Sequence, residues 1–158
     1  MDELVLDPFQ QEAVDAACQA YPRLRYAALF QGTGVGKTPQ YARIAQYISE
    51  QLMQQGKKPI IWLVTMKTAK ESQLVKVFAA DSRLHTESLN IISVDGANAE
   101  ERETQLMLIR AIRPTWVVMH YEQLRLHANQ ILETVGPDDI LILDEVDMVA
   151  NSDTDRTW

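Results

Sequence analysis

The sequence predicts an α/β fold in which a mainly parallel β-sheet is flanked by helices on both faces. Three observations lead there. Short apolar, β-rich runs recur along the chain, segments with helical spacing separate them, and the runs are apolar at successive positions, as strands buried on both faces must be. With 158 residues the chain is long enough for one such domain with a real core and too short for two lobes of comparable size. Residues 1–158 therefore read as a single domain.

Taken in order, Phe9, Ala13, Ala16, Ala17 and Ala20 mark a helix ahead of the first strand, "YAALF" (26–30). Tyr41, Ile44, Ala45, Ile48 and Leu52 recur at three and four residues and mark the next helix. "QQGKKP" supplies the Gly and Pro punctuation before the strand "IIWLV" (60–64). "NIISV" (90–94) and "WVVMH" (116–120) are further strands, and Leu124, Ala128, Ile131 and Val135 give a helix through that stretch. "VGPDD" then punctuates the approach to "ILILD" (140–144), a buried apolar strand. No internal repeat, low-complexity tract or interdomain linker interrupts this alternation.

The composition, 46% hydrophobic and 23% charged, is that of a folding, soluble protein and gives no case for disorder. A net charge of −7 argues against a surface coated in positive charge for nucleic acid, but the distribution is uneven. Between Lys57 and Lys76 stand five lysines (57, 58, 67, 70, 76) against the single acid Glu71, whereas 95–103 and 138–155 are acidic. The apolar runs are too short to cross a bilayer and the N-terminus is no signal peptide, so the expectation is a protein that is not secreted and has no membrane partner: cytoplasmic, or nuclear in a eukaryote. Cys18, the one cysteine, reads as a buried inert thiol. His85 and His127 read as surface residues.

The chemistry is concentrated in "LFQGTGVGKT". A phosphate-binding loop needs backbone N–H groups turned around the anion, a helix N-terminus behind them and one long cation reaching the terminal phosphates. Gly32, Thr33, Gly34, Val35 and Gly36 supply the amides, with glycines where the backbone must approach closely; Lys37 is the cation, and the Thr38 hydroxyl is placed to ligate Mg²⁺. Gln31 stands where the pattern G-x-x-x-x-G-K-[ST] opens with glycine. Three glycines closer to the lysine remain, so the amide nest survives. Pro39 is tolerated in the first helical turn.

The second chemical element is "ILILDEVD" (140–147), where a strand delivers acids at its carboxyl end, the edge at which a parallel sheet binds ligands. Asp144 is placed to hold Mg²⁺ through water, and Glu145 to orient and deprotonate an attacking water. A water-activating carboxylate beside the metal-holding one points to ATP hydrolysis. No Asn-Lys-x-Asp guanine reader occurs in the chain.

These residues resemble the superfamily 2 helicases and translocases, in particular the N-terminal RecA-like lobe of the Swi/Snf-like DNA translocases. The resemblance runs through nearly the whole chain in order. "LDPFQQEAV" (6–14) is similar to that family's Q motif, which implies that Gln10 reads the adenine edge. "LFQGTGVGKT" matches motif I, where this family often lacks the opening glycine too. "WLVTMKTAKESQLVKVF" is similar to motif Ia, which implies that Thr65, Lys67 and Thr68 contact a nucleic-acid backbone. "VVMHYEQLR" resembles a strand ending in Ser-Tyr-Glu, with His120 in place of the small hydroxyl residue; His120 either touches the backbone or caps the strand. "DEVD" is similar to motif II, and "NSDTDRT" to the polar segment after it.

The resemblance implies a RecA-like P-loop NTPase lobe, ATP and Mg²⁺ as cofactors, double-stranded DNA as the track, and a second RecA-like lobe that supplies the arginine finger. It stops at motif II, which implies a lobe incomplete at its C-terminus: in the family a motif III strand lies between those of motifs I and II, and its absence would leave a gap in the sheet. Two other readings stand beside it. One is a non-catalytic nucleotide-binding or partner-binding protein derived from such a lobe; the other is hydrolysis completed by a separate chain.

Overall fold

The structure, a computed structural model, describes residues 6–24, 37–65 and 91–144. They belong to two compact units, Met1–Gly56 with Ala69–Glu87, and Lys57–Thr68 with Ser88–Trp158. The expected strand at 26–30 lies outside the described residues.

In the first unit, helix α1 (Pro8–Leu24) opens on a reciprocal cap. Asp7 Oδ1 accepts from the Gln10 N–H at 2.9 Å while Gln10 Oε1 accepts from the Asp7 N–H at 3.0 Å, which is the capping-box arrangement, with Pro8 at the first helical position where its missing N–H costs nothing. Helix α2 (Lys37–Gln54) packs against α1. Its expected apolar positions Tyr41, Ile44, Ala45, Ile48 and Leu52 are all buried, and so are Gln40, Arg43, Gln46 and Ser49. The chain leaves α2 through Gly56, whose φ of 78° is the left-handed conformation that glycine adopts without penalty.

The second unit is a parallel sheet. Strands β1 (Ile61–Thr65), β2 (Ile91–Ser93), β3 (Trp116–His120) and β4 (Ile140–Leu143) lie in the order β2-β3-β1-β4, every pair parallel. Helix α3 (Ala99–Ile112) joins β2 to β3, and two short helices, α4 (Tyr121–Leu126) and α5 (Ala128–Thr134), lie between β3 and β4. The described residues thus form an α/β protein with a four-stranded, all-parallel sheet flanked by helices.

Side-chain alternation explains the core. Trp62 and Val64 of β1 stand beside Val117 and Met119 of β3, and Leu106 and Ile109 of α3 and Ile131 of α5 close over that face. Ile61, Leu63, Trp116 and Val118 point to the opposite face and are buried as well, as the unbroken apolar runs required. Strand β4 is different. Register places Leu141 beside Trp62 and Leu143 beside Val64, yet Leu141 is 60% and Leu143 43% exposed. The expectation of a fully buried strand is corrected: among the described residues β4 pairs only with β1, and the helical cover does not extend over its leucine row.

Two helical expectations also change. Helix α3 was not legible as a helix; 95–103 reads as an acidic run, and the exposed Met107, Leu108 and Ile112 blur the spacing of the buried Leu106 and Ile109. What starts it is the Asn98 side chain accepting from the Glu101 N–H at 2.9 Å. Acids in its first turn and Arg110 in its last complement the helix dipole. The single helix expected across 124–135 is broken at His127, where φ −117° and ψ 23° interrupt the helical path. His127 is 4% exposed, contrary to the surface position expected of it, because its Nε2 accepts from Arg102 Nε at 3.0 Å.

The amino end of the sheet is closed by one aspartate. Asp139 Oδ1 accepts from the Ile60 N–H at 2.9 Å and Arg113 Nη2 at 2.7 Å, and its Oδ2 from Trp62 Nε1 and the Gly136 N–H, both at 2.9 Å. Arg113 reaches this position from a left-handed backbone, φ 45°, directly after α3. The two donors on β1 and its approach, one on α3's exit and one on the loop before β4 therefore converge on a single carboxylate.

Candidate functional site

Because all four strands run the same way, their carboxyl ends share one edge, and there the sequence places its chemistry. Three of the expected site residues meet at that edge: Thr65 ends β1, His120 ends β3 and Asp144 follows β4. Thr65 and His120 are register partners.

Asp144 is held through its backbone and its side chain. Its N–H donates to the Val64 carbonyl at 2.9 Å, continuing the β1–β4 ladder by one residue, and its carbonyl accepts from the Tyr121 hydroxyl at 2.7 Å. The Thr65 hydroxyl donates to Asp144 Oδ2 at 3.2 Å, a long hydrogen bond for two oxygens. The residue is partly buried. A carboxylate on a pinned turn, at the ligand-binding edge of a parallel sheet, is a hard oxygen donor of the kind Mg²⁺ takes, one or two carboxylates at a time with phosphates and water completing the shell. The donor chemistry fits. Among the described residues no group of three or more His, Cys, Asp or Glu side chains could hold a metal, so a closed all-protein cage is not what these residues offer.

His120 is 5% exposed, and its N–H donates to Gln123 Oε1 at 2.9 Å, so it starts α4 at the point where β3 stops. This contact is the backbone half of a cap at the junction of β3 and α4. Thr65 is fully buried with its hydroxyl on Asp144, so the side chain faces the acid and not solvent. Gln10 lies in the first unit, where its carbonyl oxygen is used by the α1 cap; a ligand reading both atoms of that amide has to share or displace this bond. The signal was present in the sequence, since Asp-Pro-Phe-Gln has the spacing of a capping box with proline at its first helical position.

Lys37 and Thr38 open α2, which agrees with a phosphate loop ending at a helix start; their side chains, and Gly32, Thr33, Gly34, Val35 and Gly36, lie outside the described residues. So do Lys67, Thr68 and Glu145. The lysine-rich stretch proves to be divided. Lys57 pairs with Asp138 at 3.0 Å and Lys58 donates to the Ile112 carbonyl at 3.1 Å, both before β1, whereas Lys67 follows it. A five-residue strand spans roughly 17 Å, so Lys57 and Lys58 serve the amino end and do not join a basic face at the carboxyl end.

In the first unit, α1 and α2 enclose a groove of about 370 Å³ lined by Gln11, Val14, Asp15, Cys18, Gln19, Arg43 and Tyr47. Cys18 is partly buried there. Burial pushes its thiol above the ordinary value and the neighbouring Asp15 adds to the shift, so it stays protonated and unreactive near neutral pH.

Among the described residues no helix is long and apolar enough to cross a membrane. No protein-family model matches the chain, and no curated protein matches it either.

Proposed function

We propose that this chain is the RecA-like, ATP-binding first motor lobe of a Swi/Snf-like DNA helicase or translocase. In this reading it couples Mg-ATP hydrolysis to movement on double-stranded DNA when a second lobe, in the same or another chain, completes the site. The observation that carries the reading is the delivery of Asp144 at the carboxyl edge of an all-parallel sheet, in a sequence whose "GTGVGKT" runs into the start of α2.

The roles follow from the chemistry of phosphoryl transfer, which is mostly positioning and charge neutralisation. The amides of Gly32 to Gly36 and the Lys37 ammonium would hold the β- and γ-phosphates, Thr38 and Asp144 would hold the metal, and Glu145 would orient the water and take its proton. Bound Mg²⁺ would supply charge neutralisation at the phosphates. Gln10 contacts adenine, and Lys67 and Thr68 contact the DNA backbone, supplying affinity that depends on salt and not on sequence.

Charge that builds on the γ-phosphate also needs a cation of the arginine-finger kind, which in this reading the second lobe supplies. Its absence lowers kcat by roughly 10³ to 10⁵ in related chemistry, so this chain by itself should bind ATP far better than it hydrolyses it. Phosphate release from the purified chain, with and without double-stranded DNA and with Glu145→Gln as the blank, should stay near background. Brisk DNA-stimulated turnover that Glu145→Gln abolishes would show that the chain provides its own finger and would end the two-lobe account.

A further inference from the structure

We infer that Thr65 is a positioning residue for the metal site: its hydroxyl sets the orientation of the Asp144 carboxylate and so tunes the affinity for the Mg²⁺ that accompanies ATP. The inference rests on the reading of Asp144 as the metal-holding acid. It replaces a contact between Thr65 and nucleic acid, for which the side chain is badly placed, since it is fully buried and donates to Asp144 Oδ2 at 3.2 Å.

The geometry narrows what the hydroxyl can do. Asp144 continues the β1–β4 register by one step beyond Val64 and Leu143, which sets it beside Thr65 across the ladder. Its N–H is fixed on Val64 and its carbonyl on the Tyr121 hydroxyl. With the backbone held at both groups, the orientation of the carboxylate is set by its side-chain contacts, and the Thr65 hydrogen bond to one carboxylate oxygen is one of them. A threonine is suited to this place. Its β-branch keeps χ1 stiff in a strand, and its methyl group fills buried space while the hydroxyl serves the acid.

Partners one shell out from a metal hold the ligand in its binding orientation, and removing one typically weakens metal affinity by about 10- to 100-fold. The bond here is long, so the lower end applies. The test is a Mg²⁺ titration of the 158-residue chain with ATP present, followed by a fluorescent ATP analogue, for wild type, Thr65→Val, Thr65→Ser and Asp144→Asn. Thr65→Val should raise the apparent Mg²⁺ dissociation constant about tenfold, while Mg²⁺-free nucleotide binding stays at the wild-type value. Thr65→Ser, which keeps the hydroxyl, should restore most of the loss.

A Thr65→Val protein that matches wild type while Asp144→Asn has lost its Mg²⁺ dependence would overturn the inference and leave the proposed function standing. An Asp144→Asn protein that responds to Mg²⁺ like wild type would overturn both. Should the valine variant not fold, the Thr65 methyl resonance of the wild-type protein decides the matter. It should move when Mg²⁺ is added to the nucleotide-bound chain and stay still in Asp144→Asn; a resonance that ignores Mg²⁺ in wild type rejects the role.

Discussion

Two aspartates bracket strand β4, and the chain treats them in opposite ways. Asp139, before the strand, has a side chain only 2% exposed and accepts from two backbone amides, an indole and a guanidinium. Asp144, after the strand, is held through its backbone on Val64 and Tyr121, and the residue is partly buried with Thr65 on its carboxylate. A carboxylate enclosed by donors from separate segments acts as a joint that ties those segments together. Asp144 stands instead at the carboxyl edge of the sheet, where the proposed metal site lies. Residue type is the same at both ends; it is the gathering of donors from separate segments that marks Asp139 as a structural acid.

The largest effect expected from this contrast is on stability at the amino end. Asp139→Asn leaves Arg113 without its anion and turns an amide donor toward other donors, so it should cost about 3 kcal/mol in urea denaturation, the range for breaking a buried charged hydrogen-bond network. A loss below about 1 kcal/mol would mean that the clamp is redundant. Next in size is the nucleotide side. Lys37→Ala should weaken Mg-ATP binding by about 1.5 to 3 kcal/mol in a calorimetric titration, since it removes a charge-assisted phosphate contact; equal affinities would remove the phosphate-loop assignment.

Smaller effects sharpen the comparison. Asp7→Ala removes the acceptor of the Gln10 N–H and should cost about 1 kcal/mol of stability, read from the urea midpoint, and it loosens the first turn that carries Gln10 while the backbone N–H of residue 7 can still donate to Gln10 Oε1. If Gln10 also reads adenine, Asp7→Ala alters ATP affinity while a change elsewhere on α1 does not. The smallest effect belongs to Glu133→Gln. Its ion pair with Arg110 at 3.0 Å is between side chains 54% and 68% exposed, so stability should change by no more than about 0.5 kcal/mol.

Much of the fold was legible because strands of a parallel sheet need apolar residues at consecutive positions, and "IIWLV", "WVVMH" and "ILILD" have them. β3 matched its run from Trp116 to His120. The features that were missed depend on partners far away in sequence. Nothing near His127 announces that Arg102 will turn its imidazole inward, and nothing in "GPDD" separates Asp139, with donors from Ile60, Trp62 and Arg113, from its neighbour Asp138 on the surface. Helix α3 was hidden by a different cause: its exposed apolar residues spoil the amphipathic spacing. At the candidate site, the position of Asp144 was legible from the strand that carries it, whereas its hydrogen bond with Thr65 was not, because only the β1–β4 pairing sets the two side by side.

In the proposed function, Asp144, and not Asp139, is the acid through which Mg²⁺ strengthens ATP binding. Its most direct test is ATP affinity with and without Mg²⁺ for wild type, Asp144→Asn and Asp139→Asn, each measured where urea titration shows the protein folded. Mg²⁺ should tighten ATP binding in wild type and in Asp139→Asn and leave it unchanged in Asp144→Asn, whose stability should stay within about 1 kcal/mol of wild type. An Asp144→Asn protein that gains affinity with Mg²⁺ as wild type does would contradict the account.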